Sequence, residues 1–164
     1  MRRLAVAALA ACTALLLAGG CGLIGGSLKG RAAAYYNYMV GLSPKARYSS
    51  FLSPVYRRTF SSADLHRLDK AISPGTKPTT RYTPARTKDI AVARMGQFAF
   101  TTINPELGRA FEGVGPARWV NVGGRWYLYT GSEAEVNAYG KFPMALSPPA
   151  PPKPAEPEGK TPTD

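Results

Sequence analysis

Only a few side chains in this sequence are of a kind that does covalent or acid–base chemistry. The single histidine, His66, stands between Asp64 and Asp69. An imidazole flanked by carboxylates can move protons when the groups converge on a substrate. The helical spacing of Leu65, Leu68 and Ile72 puts His66 away from that apolar stripe. His66, Asp64 and Asp69 are therefore expected as solvated or capping charges. Asp89, at the start of a strand, is the remaining acid near a prospective pocket. One histidine, two cysteines and scattered carboxylates make neither a four-ligand zinc site nor a calcium loop. No serine lies in a G-x-S-x-G turn, and the glycines of residues 19–26 do not form a phosphate-cradling loop. The residues predict no catalytic group, no metal and no cofactor.

The cysteines are informative through their position. Arg2 and Arg3 precede Leu4–Ala18, a run of 15 residues interrupted only by Cys12 and Thr13, and Gly19, Gly20 and Cys21 follow. A basic start, a short apolar core and small residues at its end predict a secretory signal over residues 1–20. The run is shorter than the roughly 20 apolar residues of a membrane-spanning helix.

Leu17-Ala18-Gly19-Gly20-Cys21 resembles the lipobox of bacterial lipoproteins, with Ala18 where Leu is commonest. Leu9-Ala10-Ala11-Cys12 has the same form but would leave an apolar core of eight residues. The resemblance implies a diacylglycerol on the Cys21 sulfur, cleavage just before it, and an exported chain facing the periplasm or the cell exterior. The implied partner is the membrane, reached through the lipid anchor. Each buried CH₂ contributes about 0.8 kcal/mol, so several acyl chains hold a protein permanently. Gly22 follows the cysteine; an Asp there often marks inner-membrane retention in Gram-negative cells, so Gly22 favours the outer membrane.

The elements behind the anchor fall into distinct stretches. Residues 21–30 contain four glycines and read as a tether. Residues 147–164 hold seven prolines in 18 positions and no aromatic, which predicts a disordered polyproline-rich tail. All 17 aromatic residues lie in 31–146, the expected globular domain. Its front half reads helical. Ala32, Tyr35, Tyr36, Met39 and Val40 share one helix face, and Gly41 stops it. Ser43-Pro44 looks like a second helix start, with Tyr48, Phe51, Leu52 and Val55 continuing until Pro54 breaks or kinks it. Ser61 to Asp64 fits a capping box before Leu65, Leu68 and Ile72. The back half reads as strands. Ile90, Val92, Phe98 and Phe100 alternate, Gly96 marks a turn, and Asn104-Pro105 another. Gly123-Gly124 closes a hairpin whose register opposes Trp119 to Leu128 and Asn121 to Trp126. Trp119, Trp126 and Leu128 then face the core, with Val120, Val122, Tyr127 and Tyr129 on the other side.

Helices followed by strands predict an α+β fold, with N-terminal helices packed on a curved antiparallel sheet. The tyrosine-rich first helix, the Phe51-Leu52-Ser53-Pro54 helix and the closing hairpin Arg118–Tyr127 resemble the NTF2-like, cystatin-like cone superfamily over residues 31–131. That resemblance implies a cone with a pocket between sheet and helices, catalytic in isomerase and dehydratase members. Tyr35, Tyr36, Phe51, Phe98, Phe100, Trp119 and Trp126 are the candidate pocket lining; more often such a set is simply core.

The chain carries 21 Lys+Arg against 10 Asp+Glu, and the excess is uneven. Residues 22–88 have 12 basic and 2 acidic residues, a balance of +10; residues 89–164 have 7 and 8, a balance of −1. A basic surface near an anchor suits anionic lipids or envelope polymers rather than nucleic acid. Lys45, Arg47, Arg57, Arg58 and Arg67 are the candidate contacts; the bland alternative is simple solvation. The sequence thus predicts a membrane-anchored envelope lipoprotein with a small non-catalytic binding or accessory domain. Two alternatives stay open: an NTF2-like small-molecule enzyme, and a domain that binds anionic polymers or lipids.

Overall fold

The computed structural model describes residues 26–43, 45–72 and 83–153. Among these residues it holds five helices, several short 3-10 turns and one four-stranded antiparallel sheet, a mixed α+β arrangement. Helix α1 (Leu28–Met39) begins before the expected domain start at 31, because Ser27 caps it. The Ser27 hydroxyl oxygen accepts from the Gly30 N–H at 3.1 Å. At the other end Gly41, at φ 79°, supplies the left-handed step of a Schellman motif. The Leu42 N–H reaches the Asn37 carbonyl at 2.8 Å and the Gly41 N–H the Tyr38 carbonyl at 3.0 Å.

Of the predicted face Ala32 and Tyr36 are buried and Tyr35 and Val40 half-buried, but Met39 is exposed, and Leu28, Ala33 and Tyr38 are buried as well. The reason is a second wall. The Tyr38 ring packs 6.4 Å from Tyr48 and 5.8 Å from Phe51, and its hydroxyl donates to the Ile72 carbonyl at 3.3 Å. A helix covered on two sides buries a wider arc than a single stripe.

The connection after α1 departs from expectation. Pro44 lies outside the described residues, and Lys45–Arg47 is not helical; only Tyr48–Ser50 makes a 3-10 turn. Pro54 does not break a helix but starts one, α2 (Pro54–Arg58), with Ser53 as its cap. Proline at the first helical position loses no needed N–H. Just before it, the Leu128 N–H donates to the Phe51 carbonyl at 2.8 Å and Leu52 pairs in parallel with Leu128, so this segment borders the sheet. In helix α3 (Ser62–Ala71) half of the expected capping box forms. The Ser61 Oγ accepts from the Asp64 N–H at 3.2 Å, but the Asp64 carboxylate takes the Ser61 hydroxyl at 2.7 Å instead of its backbone N–H. Leu65, Leu68 and Ile72 are only half-buried.

The sheet is a meander of β1 (Ile90–Met95), β2 (Phe98–Ile103), β3 (Ala117–Val122) and β4 (Arg125–Leu128), in that order. Between β2 and β3, Asn104 caps a 3-10 turn at Pro105–Leu107 and a short α4 (Arg109–Glu112) follows. Gly123 and Gly124 both take positive φ, 58° and 82°, which sets the pairing of Trp119 with Leu128 and Asn121 with Trp126.

Both faces of the sheet are covered. On one, Ala99, Ile103, Ala117, Trp119, Trp126 and Leu128 pack under α1. On the other, Phe98, Val120, Tyr127 and Tyr129 form a second core with Leu146. The hairpin's second face was not expected to be a core. It becomes one because helix α5 (Glu133–Tyr139) and the segment after it fold back over it, bringing Val136, Tyr139 and Phe142. The Gln97 side-chain amide donates to the Tyr139 carbonyl at 2.6 Å and the Tyr129 hydroxyl to the Gly140 carbonyl at 2.8 Å, which pins the return. Of the Pro-rich segment, residues 147–153 run along β2, where the Thr102 hydroxyl donates to the Pro149 carbonyl at 3.1 Å. Residues 154–164 of the expected tail lie outside the described residues.

Candidate functional site

Cys21, with the whole of the expected signal 1–20, lies outside the described residues. What the structure places is the first element behind it. Ser27, the cap of α1, is six residues after Cys21, a span of at most about 20 Å of extended chain. Among the described residues no helix is long and apolar enough to cross a membrane.

The seven aromatic residues proposed to line one pocket do not share one. Phe98 and Phe100 project from the opposite face of the sheet and pack with Phe142, at centroid distances of 5.4 and 4.8 Å. The period-2 alternation of β2 relative to β3 decides this: Phe98 pairs with Val120 and Ala99 with Trp119. Tyr35, Tyr36, Phe51, Trp119 and Trp126 do come together beneath α1, but as packed rings. Tyr35 meets Phe51 at 5.5 Å and Trp119 at 5.7 Å, the latter perpendicular. The polar atoms of Tyr36 and Trp119 meet at Thr101. The Tyr36 hydroxyl donates to the Thr101 carbonyl at 2.7 Å, and the Trp119 indole N–H donates to the Thr101 hydroxyl at 2.8 Å. Burial pushes the phenols of Tyr35, Tyr36, Tyr38 and Tyr48 above their ordinary value, which keeps them neutral.

The titratable candidates are dispersed. His66 is exposed, beside a hollow of about 270 Å³ shared with Tyr38, Ala46, Arg47, Asp69 and Lys70. Asp69 is not the free helix-face charge that was expected. Its carboxylate accepts from the Ser49 N–H at 2.7 Å and the Ser49 hydroxyl at 2.8 Å, tying α3 to the Tyr48–Ser50 turn. The Asp64 carboxylate accepts from the hydroxyl of the cap residue Ser61 and pairs with Arg67 at 3.2 Å. Asp89 is buried and accepts from the Arg86 N–H at 2.8 Å. It borders a cleft of about 480 Å³ that also touches Arg86, Lys88, Glu106 and Lys153. His66, Asp69 and Asp89 therefore do not form one constellation. Among the described residues no group of three His, Cys, Asp or Glu side chains could hold a metal ion.

The basic candidates divide into separate groups. Arg47 and Lys70 flank the His66 hollow. Lys45 is exposed, and Arg67 is already paired with Asp64. Arg57 and Arg58 border another hollow of about 300 Å³ with Pro54 and Leu65. A further arginine, not anticipated from sequence, is held by the Ser50-Phe51 segment. Arg31 lies over the Phe51 ring, 4.7 Å from its centroid, and donates to the Ser50 carbonyl. Its guanidinium pKa is lowered, first by burial and then by the charges of Arg125 and Arg57. The sequence carried one signal for Arg31. Lys29 and Arg31 sit at the N-terminal end of α1, whose first turn holds no acid, where the helix dipole disfavours cations. A charge held in such a place is there for another interaction.

No protein-family model, no curated protein and no solved structure matches this chain. The functional reading therefore rests on the residues themselves.

Proposed function

We propose that the protein is a bacterial envelope lipoprotein, acylated at Cys21, whose folded part is a non-catalytic binding or accessory domain held close to the membrane surface. The observation that carries this is the sequence Leu17-Ala18-Gly19-Gly20-Cys21 at the end of a 15-residue largely apolar run that opens with two arginines. The capped start of α1 at Ser27 supports it, because the tether between anchor and domain is then only a few residues long. The basic excess of residues 22–88 supports the same orientation, since anionic headgroups attract each nearby Lys or Arg by about 1 kcal/mol.

The α+β domain is proposed to be NTF2-like, on the three helices that precede the sheet and the closing Arg118–Tyr127 hairpin. In this domain the space between α1 and the sheet is taken up by Tyr35, Tyr36, Phe51 and Trp119, which supports a binding or accessory role over an isomerase-type pocket.

The test is Cys21→Ala, expressed in a bacterium with lipoprotein processing. The wild-type chain should incorporate a palmitate analogue and fractionate with membranes. The variant should incorporate none and leave the membrane fraction. Labelled or membrane-retained Cys21→Ala protein overturns the proposal.

A further inference from the structure

We infer that the cleft at one end of the β1–β2 pair is a binding site for a short zwitterionic peptide. The peptide's ammonium group meets Asp89 and Glu106, and its carboxylate meets Arg86, Lys88 and Lys153. This gives the binding role proposed above a ligand class, and it does not depend on the anchor at Cys21.

Three segments build the cleft. Asp89 closes the 3-10 turn Thr87–Asp89 and stands just before Ile90, which pairs with Ile103. Asn104 stands just after Ile103, and its N–H donates to the Asp89 carbonyl at 3.0 Å. The Asn104 side-chain oxygen accepts from the Glu106 N–H at 3.0 Å, which ties the Pro105–Leu107 turn to the same strand end. Lys153 arrives on the Pro-rich segment, which the Thr102 hydroxyl fastens to β2 through the Pro149 carbonyl. Arg86, Lys88, Asp89, Asn104, Glu106 and Lys153 thereby line one hollow of about 480 Å³. That is an ordinary size for a small-molecule site.

Two polar groups in this cleft have unused bonding capacity. Asp89 is 8% exposed and Asn104 6%. Asp89 Oδ2 accepts from the Arg86 N–H at 2.8 Å, but among the described residues no donor reaches Oδ1. The Asn104 oxygen is taken by Glu106, and among the described residues its NH₂ has no acceptor. Neither atom is sealed: the sealed, unpartnered side-chain atoms of the described residues are Nε of Arg31 and of Arg57. Asp89 Oδ1 and the Asn104 NH₂ therefore keep an opening, and the hollow that both residues line is this cleft. An acceptor and a donor so nearly buried are stabilised by a ligand that answers both.

The charges select the ligand. Among the described residues no Lys or Arg nitrogen lies within 4.0 Å of the Asp89 or Glu106 carboxylate; the ion pair there joins Arg67 to Asp64. Three cations and two anions thus line one cleft without pairing. Two carboxylates repel a simple anion, and three basic groups repel a simple cation. A molecule carrying both signs forms charge-assisted hydrogen bonds at each end. A peptide also brings a carbonyl oxygen, the acceptor that the Asn104 NH₂ lacks. The volume suits a dipeptide.

The experiment titrates the full chain, isotope-labelled and held in detergent micelles, with alanyl-alanine, its N-acetyl derivative and its C-terminal amide. The readout is the Asn104 side-chain amide resonance, with Gln97, at the opposite end of the β1–β2 pair, as the internal control. Asn104 should shift saturably with alanyl-alanine and Gln97 should not. Each blocked peptide should bind about tenfold more weakly, the effect of one lost charge-assisted hydrogen bond. Glu106→Gln should weaken alanyl-alanine by about the same factor and leave the N-acetyl peptide unaffected. Lys88→Gln should weaken alanyl-alanine and leave the amide unaffected. Both residues are exposed, so neither change threatens the fold. Equal affinity for the free and either blocked peptide overturns the zwitterionic ligand. Absence of a saturable Asn104 shift at millimolar peptide, or an equal shift at Gln97, overturns the site. Cys21→Ala should bind with the same affinity, so loss of the anchor and loss of the site are read separately.

Discussion

Glu135 is the residue whose removal should most damage this domain. Its side chain is fully buried. The Ser53 hydroxyl donates to Oε1 at 2.6 Å. Oε2 accepts from the Thr130 hydroxyl at 2.6 Å, the Thr130 N–H at 2.9 Å, the Gly131 N–H at 3.1 Å and the Ser132 hydroxyl at 3.2 Å. One carboxylate thereby joins the cap of α2, the loop after β4 and the start of α5. In Glu135→Ala these donors face a cavity. A buried donor left without an acceptor costs about 1–3 kcal/mol. Relaxation and water entry keep several such costs from adding in full, so the expected loss is about 3–5 kcal/mol, at the upper end for a single substitution that breaks a buried hydrogen-bond network. Glu135→Gln keeps the shape and one acceptor oxygen. With that oxygen toward Thr130 and Gly131, its NH₂ can donate to the Ser53 Oγ, and the loss should be about 1–2 kcal/mol. Urea denaturation followed by tryptophan fluorescence reads both, since Trp119 and Trp126 are buried and report the core. A domain of ordinary stability, about 5–15 kcal/mol, would be left marginal by the alanine variant. The reasoning is refuted if Glu135→Ala costs less than about 1 kcal/mol, the net value of a single hydrogen bond. It is refuted equally if the glutamine variant is as damaged as the alanine one.

Two further outcomes follow from the first core. Thr101→Val conserves volume but removes the acceptor of the Trp119 indole N–H, while Tyr36 keeps the Thr101 carbonyl. It should cost about 2 kcal/mol by urea denaturation, the penalty of one buried unsatisfied donor, and a neutral result would mean that water replaces the hydroxyl. Burial raises the phenol pKa values of Tyr35, Tyr36, Tyr38 and Tyr48. These groups stay protonated in the native state while the unfolded chain ionises from about pH 10. By linkage their contribution is complete below about pH 10 and is lost as the pH rises above it. Near-ultraviolet absorbance should show the ionisation of these four of the nine tyrosines arriving together with unfolding; complete tyrosine ionisation in a still-folded chain would contradict this.

The hairpin was legible because its determinants are local. Gly123-Gly124 fixes the turn, the turn fixes the register, and the register places Trp119 and Trp126 on one face. The ends of α1 were legible for the same reason at Gly41, though Ser27 carried it three residues further back than the aromatic content suggested. Pro54 was misjudged because a proline's role depends on what precedes it. An extended Phe51-Leu52-Ser53 segment bonded to β4 turns the same residue from a breaker into a helix start. The candidate pocket failed for a related reason. Phe98 and Phe100 are apolar at alternate positions like a core face, but so are Ala99 and Ile103 on the other face, with Thr101 buried between them. A strand apolar on both faces is buried on both, and only the returning α5 segment shows what covers the second.

The sequence by itself determined which elements this chain builds. Helix caps and turn glycines act over three or four residues, so Ser61, Gly41 and Gly123-Gly124 can be read locally. What the tertiary structure decided is which side chains meet. Glu135 reaches Ser53 across 82 residues, and Tyr36 reaches Thr101 across 65. Arg31 reaches Phe51 across 20 residues, its guanidinium 4.7 Å from the ring centroid. Such meetings are set by the packing of helices on a twisted sheet, which no local spacing encodes.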